Sequence, residues 1–386
     1  MTKICSVLVL QLLIFLFCNV VALSAQQDFS HSDFRFIEIR GHTGSHLYTG
    51  DELSEVLGNG YGALQVRYGW QSNNPESWQS SYLYPLYGFG WYSGFIGNPD
   101  HLGTPGALYG FISFPLFKHD RHQMVIEPAA GISYDLKPYD ESSNVINDAI
   151  GSRFNVYFNL NIGAVYRLNR EIDLVYGLDI THFSNGRKFR PNSGLNMVGP
   201  NVGLRYHFNA RQSDIDDSRH PERILEVRPR LDYYRSAEPL NYGEFLVYGA
   251  AGVVQNDEDK GTNKQYLTLS SFLEYNYKLN SKSGFALGLN AFYDRSLKAY
   301  YPNRRHTFYG VHTGYDLMFW RLALRMQFGT YLHNRAHDFK GYYFFRPSLK
   351  FDICERLFMQ VGLKTRDGFK ADWVEYGIGL KFGSNR

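Results

Sequence analysis

Past Ala25 the 386-residue sequence lacks any run of about 18 apolar residues, so no helix made from it crosses a bilayer unaided. Cysteine is scarce: Cys5, Cys18 and Cys354 are the only three. The first two fall in a segment read below as a removed leader. That leaves Cys354 without an intrachain partner, and no disulfide holds the core. Charge of one sign is also in short supply: the net charge is +3, too small to indicate a nucleic-acid partner. No metal-ligand spacing and no phosphate-binding loop occur, so neither a metal nor another cofactor is expected.

At the N-terminus, Lys3 precedes an apolar run from Val7 to Val21 that closes on the small residues Ala22, Ser24 and Ala25. This reads as a secretory signal peptide, residues 1–25, cleaved near Ala25. A membrane anchor is the rival; a lipoprotein signal ending at Cys18 is disfavoured by the bulky Phe17 before it. Aromatics are plentiful, with 30 Tyr and 29 Phe, as are the 37 Gly. A tyrosine- and glycine-rich chain of slightly polar mean hydropathy suits strands with one face toward lipid and the other toward a polar lumen.

Strict period-two alternation recurs over stretches of about 9 to 12 residues, enough for a tilted strand to cross a membrane. Ile172, Leu174, Tyr176, Leu178 and Ile180 alternate with Asp173, Val175, Gly177, Asp179 and Thr181. The same rhythm runs through Val198–Phe208, Tyr343–Ile353 and Val374–Phe382. Short turns are expected at 118–122, 168–171, 279–283, 318–320 and 354–356, and longer loops at 94–105, 137–151, 185–196, 255–263, 299–305 and 365–372. Short turns on one side and long loops on the other are a barrel signature. The expected fold is therefore all-β, an antiparallel outer-membrane β-barrel.

Counted from Phe34, eight strands end at Phe208, which puts the loop after Ser184 on the external side. About eight more follow, as a second barrel or as part of one larger barrel of about sixteen strands. The later half reads as a faded copy: Val202-Gly203-Leu204-Arg205-Tyr206 is echoed by Ile378-Gly379-Leu380-Lys381-Phe382. The implied organisation is a first barrel over 26–209, a polar linker over 210–223 and a second barrel-like repeat over 224–386.

On the strand from Ile172 the apolar even face runs on into His182 and Ser184. An imidazole and a hydroxyl at i and i+2 leave a strand on the same side, close enough for the histidine to act as base toward the serine. Polar groups on a lipid-facing wall are costly unless paired; the bland alternative is that both sit at the strand's wet end. Arg187, Lys188 and Arg190 follow in the next loop.

The segment His182-Phe183-Ser184-Asn185, then Pro191-Asn192, then Gly194-Leu195-Asn196 resembles the active-site signature of the lipid A 3-O-deacylase (PagL) family. The resemblance spans about residues 34–208. It implies an outer-membrane serine esterase that removes the ester-linked 3-O-acyl chain from lipid A, with lipopolysaccharide of the outer leaflet as its partner. It also implies Ser184 as nucleophile, His182 as general base, and Asn185 and Asn192 as binders of the oxyanion. The family's acidic third member, normally glutamate, falls on Asn196. An asparagine can hold a histidine tautomer through its amide oxygen but brings no negative charge. The other reading of Asn196 is a turn cap in a dead site, and Glu127 is a weaker candidate for the acid. Arg187, Lys188 and Arg190 are expected either to meet lipid A phosphates or to form a solvated basic loop. Near the matching end of the second half stand Lys364, Thr365, Arg366 and Asp367 without a His–Ser pair, so one active site per chain is expected. A non-enzymatic barrel, a channel or structural protein with a relic motif, is the alternative function.

Overall fold

The structure, a computed structural model, describes residues 34–48, 51–57, 60–72, 74, 76–119, 121–208, 236–332, 340–367 and 370–383. The expected leader over 1–25 and linker over 210–223 lie outside the described residues.

Alternation produces strands whose polarity is the inverse of a soluble core. Along β10 (Tyr266–Asn280) burial alternates residue by residue. The buried positions include Thr268, Ser270, Glu274, Asn276 and Lys278, while Leu267, Leu269, Leu273 and Tyr275 are exposed. A sheet that is polar inside and apolar outside gains by closing on itself, because closure removes every unpaired edge.

Two such closures form. β1 (Phe34–Tyr48), β2 (Tyr61–Gln71), β3 (Leu86–Phe95), β4 (Gly103–His119), β5 (His122–Leu136), β6 (Asn155–Arg167), β7 (Ile172–Ser184) and β8 (Leu195–His207) make one antiparallel barrel. β9 (Pro239–Val254), β10, β11 (Ser283–Asp294), β12 (Thr307–Phe319), β13 (Leu322–Tyr331), β14 (Tyr343–Asp352), β15 (Leu357–Arg366) and β16 (Lys370–Phe382) make the other. The single larger barrel is thereby excluded: β8 closes on β1, with Phe36 opposite His207, and β16 closes on β9, with Phe382 opposite Phe245.

Charged side chains cross both lumens. In the first, Arg40 Nη1 on β1 donates across to Glu127 Oε2 on β5 at 2.9 Å, and Arg205 Nε donates to Glu38 Oε2 on the neighbouring strand at 2.9 Å. In the second, Arg325 pairs with Glu274 and, at 2.8 Å, with Asp316, while Arg346 Nη2 donates to Asn290 at 2.8 Å. Deleting one member of such a buried network costs about 3–5 kcal/mol, because a charge is left uncompensated. Toward the loop end the first lumen turns apolar, filled by Tyr92, Tyr109, Tyr157 and Phe183.

The expected short turns fall between strands at one end, with one departure. The β2–β3 connection is long although it lies at the turn end, and it contains a 3₁₀ turn, Trp78–Tyr82. This segment docks on the second barrel: Tyr82 OH donates to Met318 O at 2.6 Å, Lys282 Nζ donates to Ser81 O, and the Trp78 and Phe319 rings lie 6.1 Å apart.

Candidate active site

The site is built on β7 by the same alternation that makes the wall. Leu178 and Ile180 are exposed on the outer face, whereas Asp179, Thr181 and Phe183 are buried in the lumen. His182 and Ser184 therefore leave the strand outward, half-buried at its loop end. Phe183, between them in sequence, points inward and packs against Tyr157 at 5.5 Å and Tyr92 at 5.9 Å between ring centroids. Burying a phenylalanine contributes roughly 1.5–3 kcal/mol. That anchor fixes the strand where its two neighbours must face the other way.

His182 Nε2 lies 2.9 Å from Ser184 Oγ, and His182 Nδ1 lies 2.7 Å from Asn196 Oδ1. Asn196 sits on β8 directly opposite His182 in the antiparallel register. Its carbonyl oxygen can only accept, so Nδ1 carries the imidazole proton and the Nε2 lone pair faces the serine hydroxyl. The arrangement is an outward-facing Ser–His–Asn chain able to move a proton from the hydroxyl to the ring. Asn196 is thus engaged with the histidine rather than capping a turn.

The following loop brings Asn185 and Asn192 together. Asn185 N donates to Asn192 Oδ1 at 2.8 Å. Asn185 Nδ2 donates to Ser152 Oγ at 3.0 Å, and its side-chain and main-chain oxygens accept from Phe189 N and Lys188 N. Asn185 thus helps to hold the loop, and with Asn192 Oδ1 fixed as an acceptor the Asn192 NH2 is the part of that side chain that can donate. Two residues not marked out as site members support this region. Ser152 gives no signal in spacing, since it comes from the distant β5–β6 loop. Gly194 adopts φ +80°, and a Cβ there would lie 2.8 Å from His182 Cε1, so the loop passes flush against the imidazole only as glycine.

The basic residues part company. Lys188 is exposed. Arg187 is buried and its Nη1 donates to Asp372 Oδ1 of the second barrel at 2.9 Å, so its expected contact with lipid phosphates is corrected: a carboxylate already holds it. Arg190 Nε pairs with Asp257 at 2.7 Å, and burial beside Arg187 lowers its pKa to about 10. Glu127 lies in the lumen, paired with Arg40 and Arg67, on the wrong side of the wall to serve His182. In the second barrel Lys364 turns inward to Asp372 at 2.5 Å, and Thr365 Oγ1 donates to Phe345 O at 2.9 Å.

Comparison with known proteins divides the chain at the same place as the barrels. The family model "Lipid A 3-O-deacylase (PagL)" matches residues 62–205, and "Acyloxyacyl hydrolase, C-terminal domain" matches residues 243–385. No curated protein matches the chain. Among solved structures it is similar to Neisserial surface protein A, at 9% identity over 46% of this chain and 99% of that chain, TM-score 0.31. It is also similar to the siderophore receptor PirA from Acinetobacter baumannii, at 9% identity over 91% of this chain and 69% of that chain, TM-score 0.23. With family models matching both halves, the first over the barrel that carries His182, Ser184 and Asn196, the chain belongs to the lipid A 3-O-deacylase (PagL) family.

Proposed function

We propose that the protein is a serine esterase of the bacterial outer membrane that removes the 3-O-linked acyl chain of lipid A in lipopolysaccharide. The observation carrying this reading is the hydrogen-bonded run Ser184–His182–Asn196 on the outer wall, where a lipid, and not a solute in a pore, is the molecule within reach. The rival channel function has little to support it, since ion pairs cross both lumens, Arg40–Glu127 in the first and Arg325–Glu274 in the second.

In the proposed reaction Ser184 Oγ attacks the ester carbonyl while His182 Nε2 takes its proton. The tetrahedral oxyanion is met by the Asn192 amide, worth roughly 2.7–4 kcal/mol for one such donor. Collapse breaks the ester C–O bond, and His182 returns the proton to the departing sugar hydroxyl. Water, deprotonated by His182, then releases the fatty acid from Ser184. Asn196 holds the tautomer throughout but supplies no charge to the imidazolium. No cofactor is required by this sequence of steps.

Val156, opposite Ser184, and Phe158, opposite His182, are exposed apolar residues on β6 that offer the departing acyl chain a surface. Lys188 is the remaining candidate for a phosphate contact. The test is mass spectrometry of lipid A from cells expressing the chain or its Ser184→Ala variant. A lipid A lacking one 3-O-acyl chain only with the wild-type serine is expected; identical lipid A from both would refute deacylation.

A further inference from the structure

The loop that follows Ser184 is tied to the second barrel through Arg187, Lys188 and Arg190. Gly186 and Arg187 both adopt positive φ, +63° and +70°. For arginine this conformation is unfavourable and needs outside support. On the first-barrel side, support comes through Asn185. On the other side it comes from the second barrel. Arg187 O accepts from Gln255 N at 3.1 Å, Gln255 Oε1 accepts from Arg190 N at 2.6 Å, and Gln265 Nε2 donates to Lys188 O at 2.9 Å. Gln255 is fully buried. Gly186 passes so close that a Cβ on it would fall 2.2 Å from Val374 Cγ2.

Arg187 enters the mouth of the second barrel, where Asp372 also binds Lys340 Nζ at 2.8 Å and Lys364 Nζ at 2.5 Å. Lys340 in turn reaches Asp294 at 2.7 Å. Two lysines thus satisfy Asp372 without Arg187. The arginine is dispensable to the second barrel's own charge balance, whereas its side chain ties the left-handed turn to Asp372.

We infer that the second barrel is a clamp that sets the loop carrying Asn185 and Asn192, with Arg187 as the positioning residue at the contact. This rests on the esterase reading for its consequence in catalysis, but not for the clamp itself. A barrel whose matching strand end carries no His–Ser pair acquires a role: it holds an oxyanion donor in register with Ser184 from outside the first barrel. Displacing a positioned group by about 1 Å can cost on the order of 100-fold in rate, so a loosened loop is visible in turnover.

The experiment compares full-length wild type, Arg187→Gln, Arg187→Lys and Gln255→Ala in detergent micelles. Hydrogen–deuterium exchange is read over 185–194 and over β9–β16, together with kcat and KM on purified lipid A. In Arg187→Gln, exchange over 185–194 rises by about tenfold while the second barrel's strands are unchanged. Its kcat falls roughly 10- to 100-fold with KM within about twofold. Arg187→Lys recovers most of both, and Gln255→Ala, which removes the side-chain acceptor of Arg190 N while leaving the Gln255 N bond to Arg187 O, repeats the pattern more weakly. Unchanged exchange over 185–194 in both Arg187→Gln and Gln255→Ala overturns the clamp. Loosening without any loss of kcat overturns the positioning role. If the wild type releases no fatty acid yet exchange still rises in the variants, the esterase reading fails and the clamp stands.

Discussion

The loop ends of β7–β8 and β15–β16 are the same piece of architecture used twice, with opposite results. In the first barrel β7 carries its alternation to Ser184, so two polar side chains emerge on the outer wall and find Asn196 across the strand pair. In the second, β15 stops at Arg366 and its register with β16 shifts at Lys364 and Thr365. Lys364 and Asp372 meet inside, and the Thr365 hydroxyl is spent on the Phe345 backbone. Barrel closure and lumen charge are common to both ends. What differs is the side of the wall on which the polar residues at the strand's end emerge.

Substitutions at four positions test that contrast, in descending order of expected effect. Ser184→Ala removes the nucleophile and should lower fatty-acid release from lipid A by at least about 10³-fold with the fold intact by circular dichroism; residual release near wild type would place the reaction elsewhere. Asn196→Ala deprives His182 of its orienting acceptor, and a fall of roughly 10- to 100-fold in kcat is expected. Asn196→Glu, which adds a charge beside the imidazolium, should retain or raise the rate. Equal rates in Asn196→Ala and wild type would mean that another group orients the ring. Gly194→Ala forces a side chain into a left-handed position against His182 and should cost about tenfold in kcat, a result that kinetics on the purified protein would settle. Thr365→Ala, at the silent end of the comparison, should leave turnover within about twofold while lowering unfolding stability by about 1 kcal/mol through the lost hydrogen bond. A large loss of turnover there would erase the distinction between the two ends.

Alternation made the strands and the outward parity of His182, Ser184 and Asn196 readable from sequence, because period-two geometry leaves only two faces to choose between. It could not choose between one large closure and two small ones. That choice depends on which strand pairs with β1 and which with β9, a relation between residues as far apart as Phe36 and His207. Nor did it find the work of Arg187: a basic loop residue has the same local pattern whether it meets a phosphate or Asp372, 185 positions away. The long β2–β3 connection escaped the short-turn rule for a similar reason, since its 3₁₀ turn is fixed by Phe319 and Met318 of the other barrel. Glu127, chemically suitable as an acid, is disqualified by Arg40 and Arg67, which share the lumen with it.

The sideways opening of Ser184 has a kinetic consequence under the proposed reading. Substrate reaches such a serine by two-dimensional diffusion within the leaflet, so the variable that governs turnover is the mole fraction of lipid A among its neighbours. Diluting vesicles with buffer should leave the rate per enzyme unchanged, whereas diluting lipid A with an inert phospholipid should slow it in proportion.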